Sequence, residues 1–204
     1  VAGVSKSWFN NAVARPRKIS DERLLAAAGS VIARLGPGFT LADIATEAGV
    51  VAGTLVQRFG SKHGLLAALS RMTIDALPDS IRTAAKDHAD PLDALRAGLV
   101  QPYAALDDPA AAANNLAQLA VDFADAELRG LLAELYAAVE AEVAILVQDA
   151  AATLPGAPPA PQAARVLTAL AEGSAIRWSV RPAGSLRERI RIDIDAVLTT
   201  WSRT

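Results

Sequence analysis

The residues from Thr40 to Lys62 constrain this chain most. They read Thr40-Leu-Ala-Asp-Ile-Ala-Thr-Glu-Ala-Gly49, then Val50-Val-Ala-Gly-Thr-Leu-Val-Gln-Arg-Phe59, then Gly60-Ser-Lys62. The spacing predicts two short helices hinged at Gly49 and the start of a third at Ser61-Lys62. Thr40 precedes an apolar-periodic run and has Asp43 three residues on, an N-cap with a capping-box carboxylate. Ile44 and Ala45 face inward, and Ala45 is small where two helices cross closely. Gly49 can adopt the left-handed backbone of a sharp helix exit. In the second helix Leu55 and Phe59 fall four residues apart on one face, leaving Thr54, Gln57 and Arg58 facing away. This is the layout of a helix-turn-helix whose second helix enters the major groove of DNA. An ordinary helical hairpin shares the spacing, so the flanks must separate the two readings.

The first flank is electrostatic. The net charge of −2 hides an asymmetry. Residues 1–77 hold nine Lys and Arg against five Asp and Glu, a balance of +4; residues 78–204 hold eleven against seventeen, a balance of −6. A basic head on an acidic body suits a polyanionic partner at one end only. Lys6, Arg15, Arg17 and Lys18 make residues 1–19 a flexible basic arm rather than a signal peptide.

The second flank is the run of helices. Ser20 caps a helix opening with Asp21 and Glu22, with Leu24, Ala28, Val31, Ile32 and Leu35 as its buried stripe. Ser61 caps another, carrying Leu65, Leu66, Leu69 and Met72 and expected to stop before Pro78. Residues 20–77 are thus expected to form the head and 78–204 the body. In the body, Pro91 opens a helix reaching about Leu106, and Asp107-Asp108-Pro109 caps one ending near Asp125. A long amphipathic helix follows through Leu128, Leu131, Leu135, Val139, Val143 and Leu146. Four prolines between Leu154 and Pro161 break it. The last two helices are expected at about Gln162–Val180 and Leu186–Trp201. The class is all-α.

Cysteine is absent, which excludes disulfides and thiol chemistry. No apolar run reaches membrane-spanning length, so a cytoplasmic location without membrane contact is expected. His63 and His88 are the only histidines, and neither has a carboxylate at metal-ligand spacing. Phosphate loops, dinucleotide fingerprints and nucleophile elbows are missing. Acids such as Asp122 and Asp125 read as solvated helix residues. No enzyme, metal or cofactor is expected.

From Ser20 to about Leu69 the chain resembles the tetracycline-repressor (TetR) family of bacterial transcriptional regulators. The resemblance is carried by Leu24-Leu-Ala-Ala-Ala28, Gly36-Pro-Gly-Phe-Thr-Leu-Ala-Asp-Ile-Ala45, Ala48-Gly-Val50, Gly53-Thr-Leu55, Phe59-Gly-Ser-Lys62 and Leu65-Leu66. The resemblance implies an N-terminal DNA-binding head and a C-terminal helical domain for effector binding and dimerisation. Thr40 and Lys62 would hold phosphate at either end of the motif. Val51, Ala52, Gly53 and Thr54 would face the groove, with Gln57 reading a base or phosphate. The family commonly has serine at Val51 and a phosphate-binding tyrosine at Val56. Val56 cannot make that bond, and Arg58 beside it would compensate electrostatically. Side-chain chemistry separately nominates Gln57 for an adenine edge and Val51 or Ala52 for a thymine methyl.

The resemblance also places Tyr103, Asn114, Gln118, Asp122, Phe123, Tyr136, Arg177 and Trp178 on helices that surround the effector pocket. The alanine-rich, apolar setting favours a hydrophobic or aromatic effector. Leu186, Ile190, Ile194, Val197 and Trp201 form a stripe on the last helix; Val166, Leu170, Ser174 and Arg177 mark a face of the preceding one, where Gly173-Ser-Ala175 permits close approach. Packing within one subunit and a dimer interface both account for such stripes. The resemblance favours the homodimer. The expected function is a homodimeric repressor released from a pseudo-palindromic operator by a small effector. The alternative is a helical DNA-binding protein whose body is only a scaffold, and a ligand-sized cavity in the body would separate the two.

Overall fold

The computed structural model describes residues 19–203, so the basic arm lies outside the described residues apart from Ile19. Among the described residues the chain is helical and has no strand. Helix α1 spans Asp21–Leu35, α2 Leu41–Ala48, α3 Ala52–Phe59 and α4 Lys62–Lys86. The body adds α5 Pro91–Val100, α6 Pro109–Ala124, α7 Ala126–Asp149, α8 Ala160–Val180 and α9 Leu186–Trp201.

Local chemistry sets most of these ends. Ser20, Thr40, Ser61, Asp90, Asp108, Asp125 and Ser185 each accept a backbone N–H at a helix start, satisfying donors that the helix leaves open. The capping box of Thr40 and Asp43 is complete in both directions. Gly49 takes φ 69° and ψ 35°, and the Val50 N–H reaches back to the Ala45 carbonyl at 2.9 Å. The turn between α2 and α3 therefore rests on a left-handed residue, where glycine has no Cβ to clash.

Three expected ends or faces are corrected. Helix α4 does not stop before Pro78 but runs through it to Lys86. Proline lacks the N–H that would bond the Ile74 carbonyl. Burial of Ile81 and Ala85 in the body core outweighs that lost bond. The expected boundary at residue 78 thus falls inside a continuous helix. Helix α5 ends at Val100 rather than Leu106, because Pro102 turns the chain into a 3-10 segment, Gln101–Tyr103. Leu35, placed on the buried stripe of α1, is instead 44% exposed at the helix end.

Two apolar clusters organise the chain. One joins α1 to α4 around Leu24, Ile44, Leu55 and Leu65, and it also takes in Leu128 and Leu131 from the start of α7. The other packs Ile81, Leu95, Val143, Leu167, Ile190 and Ile194. Helix α4 contributes to both. Glu142, buried on α7, is held by a two-point ion pair: Arg82 Nε to Oε1 at 3.0 Å and Nη2 to Oε2 at 2.6 Å. Such a fork satisfies both carboxylate oxygens and ties α4 to α7.

The apolar stripe of α9 lies inside the subunit. Leu186, Ile190 and Ile194 are fully buried in the body core, as is Leu198. Ser174 is also buried, donating to Asp193 Oδ2 at 2.7 Å. These four expected interface residues, Leu186, Ile190, Ile194 and Ser174, are therefore core residues. Leu170, Val197 and Trp201 are half-buried against the same core. Of the expected faces, Val166, at 41%, and Arg177 are exposed.

Candidate functional site

The head presents α3 to solvent. Val51 is 73% and Val56 50% exposed, while Leu55 is fully buried beneath them. Gly53, Gln57 and Arg58 are exposed; Ala52, Thr54 and Phe59 are half-buried. Thr54 therefore faces away less completely than its spacing suggests. Val51 is the N-cap but offers no side-chain acceptor, as expected of a valine where the family commonly has serine.

Three of the residues nominated for phosphate are already engaged within the chain. Lys62 Nζ donates to the Pro37 carbonyl at 2.6 Å and the Phe39 carbonyl at 2.7 Å, and it sits 3.9 Å over the Phe39 ring. It clamps the turn between α1 and α2. Arg58 forms an ion pair with Asp21 and donates to the Ile19 carbonyl at 3.3 Å. Thr40 Oγ1 donates to Asp43 Oδ2 at 2.7 Å. That bond, with one from the Thr40 backbone, holds the Asp43 carboxyl below the usual range. Of the residues expected to face the groove, Val51, Gly53 and Gln57 are exposed on or beside α3, and Ala52 and Thr54 are half-buried. His63, one residue past Lys62, pairs with Asp125 at 3.2 Å. It is thus turned toward the start of α7.

Behind the head lies a cavity of about 520 Å³, within the range of small-molecule sites. Helices α1 and α4 contribute Ile32, Leu66, Leu69, Ser70 and Thr73; α6, α7 and α8 close the other sides. Five of the eight residues expected around an effector pocket meet there: Tyr103, Gln118, Asp122, Phe123 and Tyr136. Asn114, Arg177 and Trp178 do not. Trp178 is buried in the body core, donating Nε1 to the Gly184 carbonyl at 3.3 Å. Arg177 is exposed on the outer side of α8. Glu172, Ala175, Ile176 and Ser179 line the cavity from a different face of the same helix.

Among the cavity residues that sequence reading missed, Glu172 is the one that carries charge. An acid on a helix reads as solvated, and only the packing of α8 reveals otherwise. Desolvation pushes its carboxyl above the usual range, and the nearby Glu140 carboxylate adds to the shift. Burial likewise raises Asp122, partly offset by a hydrogen bond from Gln118. Tyr103 is pushed well above the ordinary phenol range by burial and then by Glu172. Tyr136 is raised for the same two reasons.

Helix α6 serves both the cavity and the head. Gln118 and Asp122 line the cavity from it. One turn earlier, Asn114 Nδ2 donates to the Ala33 carbonyl in the last turn of α1 at 2.9 Å. Asn114 also packs against Gly36, where an added Cβ would lie 3.0 Å from its Oδ1.

A helix-turn-helix with an exposed second helix, joined to a helical body with a ligand-sized cavity, defines a DNA-binding regulator. Residues 24–69 match the family model described as bacterial regulatory proteins, tetR family. Residues 24–69 thus carry the pattern of that family's DNA-binding domain, and the chain has the fold of tetR-family transcriptional regulators. A transcriptional regulator from Rhodococcus sp. Rha1 superposes with a TM-score of 0.70 at 25% identity, over 91% of this chain and 100% of its own. A TetR transcriptional regulator from Streptomyces coelicolor gives 0.62 at 26% identity, over 91% and 99%. SmeT, the repressor of the Stenotrophomonas maltophilia multidrug efflux pump SmeDEF, shares the fold at 19% identity, TM-score 0.62, over 91% and 92%. No curated protein matches the chain in sequence. The family and these structural neighbours are regulators, not enzymes. No described helix is long and apolar enough to cross a membrane.

Proposed function

We propose that this chain is a homodimeric repressor whose operator affinity falls when a small molecule occupies the cavity. The observation that carries the reading is the cavity wall. Head helices α1 and α4 and body helices α6, α7 and α8 bound the same volume, so a ligand there bears on the head directly. Asn114 supplies a second connection, from α6 to the end of α1. The ligand-sized cavity favours this reading over a body that is only a scaffold. Thermodynamic reciprocity then requires operator to lower effector affinity by the same factor.

Dimerisation is assigned to the outer faces of α8 and α9. Val166 and Val180 on α8 and Ile192 on α9 are 41–73% exposed. Gly173 lies between them with open space above it, which suits close helix approach. A two-fold axis there relates two heads, which would reach half-sites about 34–36 Å apart. Ile192→Glu is expected to shift the protein toward monomer in sedimentation. The same change is expected to weaken operator binding more than binding by an isolated head. A dimer of unchanged strength would move the interface elsewhere.

Gln57 is the exposed amide on α3 suited to a base edge. Gln57→Ala is expected to cost about 1–3 kcal/mol on the preferred operator and to relax one base position. A uniform loss across random duplexes would assign Gln57 to phosphate instead.

The proposal as a whole is tested at Asn114. Asn114→Ala is expected to leave operator binding nearly intact in the free protein. The effector's influence on that binding is expected to fall by about 0.5–2 kcal/mol of coupling. Titrating operator with and without ligand measures this. Undiminished coupling would take Asn114 out of the connection, and a ligand without influence on the wild type would end the repressor-release reading.

A further inference from the structure

We propose that the cavity selects a lipophilic ammonium ion, an apolar or aromatic body carrying a positively charged N–H group. This assignment rests on the cavity being the effector site, and it names the effector's chemistry. The cavity wall holds two carboxylic acids, Asp122 and Glu172, and no lysine, arginine or histidine. Neither acid has an ion-pair partner among the described residues. Elsewhere the buried acid Glu142 is held by Arg82. The cavity acids are instead desolvated without a counter-charge.

A second observation is independent of charge. Gln118 is 5% exposed, and its Oε1 is buried without a hydrogen-bond partner. Its Nε2 donates to Asp122 Oδ1 at 2.8 Å. The carboxylate fixes the amide orientation, since the reverse would set oxygen against oxygen. A buried amide oxygen left open is costly, and a donor on the ligand would satisfy it. Around these acceptors the wall is apolar and aromatic, with Phe123, Tyr103 and Tyr136. Glu172 lies within electrostatic reach of both tyrosines. Aromatic faces attract cations, and desolvation strengthens that attraction. An anionic ligand would face Asp122 and Glu172 with no cation on the wall to balance it, only neutral groups such as Ser70, Thr73, Asn115 and Ser179. A neutral one would leave the carboxylates uncompensated.

Calorimetry with three molecules of one shape tests the assignment: 3,3-diphenylpropylammonium, the corresponding alcohol and the corresponding carboxylate. At neutral pH the ammonium is expected to bind at least about tenfold more tightly than either other probe. Glu172→Gln is expected to erase most of that preference, and Asp122→Asn part of it. The Glu172→Gln protein should melt no lower than the wild type when free of ligand, because it loses an uncompensated acid; this separates lost recognition from lost fold. Three results would overturn the assignment: the alcohol or carboxylate binding as tightly as the ammonium, a preference surviving in both variants, or no binding of the ammonium. Operator release is measured alongside, on a duplex selected from random sequence. Ammonium binding without release would uphold the cavity chemistry while overturning the effector role. Release by the alcohol or carboxylate, bound as tightly as the ammonium, would do the reverse.

Discussion

Gly64→Ala is expected to be the most damaging single methyl in the head. Gly64 lies in the first turn of α4, and an added Cβ would stand 2.1 Å from the carbonyl oxygen of Phe59, the last residue of α3. The obstacle is backbone, not a side chain that could swing aside. Relief requires α3 and α4 to separate. Overpacking of this kind costs about 1–3 kcal/mol, occasionally more. The loss in operator affinity is expected to exceed the loss in stability, because a reading helix must be held within about 0.5 Å and 10–20°. Thermal melting and operator titration on the same preparation compare the two. An alanine variant that melts and binds as the wild type would mean that this junction yields without cost.

Lys62→Met is expected to act on the fold before it acts on DNA. The ammonium gives two hydrogen bonds to the Pro37 and Phe39 carbonyls. Removing it leaves both acceptors without their charged donor, at a cost of about 1.5–3 kcal/mol. Methionine retains much of the apolar stem over the Phe39 ring, so the charge is what is lost. A direct phosphate contact would instead lower the salt slope of DNA binding by about 0.9 for each head. The expected result is a lower melting temperature with a nearly unchanged slope. A slope reduced by that amount, with stability intact, would restore Lys62 to the interface.

The head was legible because its punctuation is local. Thr40 with Asp43, Gly49, and Ser61 with its following turn each act over three or four residues, and they stand where spacing predicts. Lys62 shows the limit of that reading. Nothing in the order of residues reveals that its ammonium reaches back to Pro37. Pro78 shows another limit: a breaker by local propensity, it is overruled by the burial of Ile81 and Ala85 beyond it. The α9 stripe was read correctly as a helix face, from Leu186 to Trp201, but a face does not name its partner. Leu186, Ile190 and Ile194 have the same spacing whether the neighbour belongs to this subunit or another. The cavity was half legible, since aromatic and amide residues stand out in an alanine-rich body. Glu172 did not, and its setting depends on α4, α6 and α7 meeting α8.

The unbroken α4 has a mechanical consequence. At 1.5 Å per residue its 25 residues make a rod about 37 Å long. One end is anchored among Leu65, Leu66 and Ala67 and the other among Ile81 and Ala85. Ser70 and Thr73, on the cavity wall, lie between those anchors. Pro78 leaves the rod one hydrogen bond short at Ile74, which makes that point its softest fulcrum. From Pro78 to Gly64 the arm is about 20 Å, so a tilt of only about 5° would carry the tip roughly 2 Å. Under the proposed repressor mechanism such a helix would serve as a lever, converting a small displacement in the body into a larger one at α3.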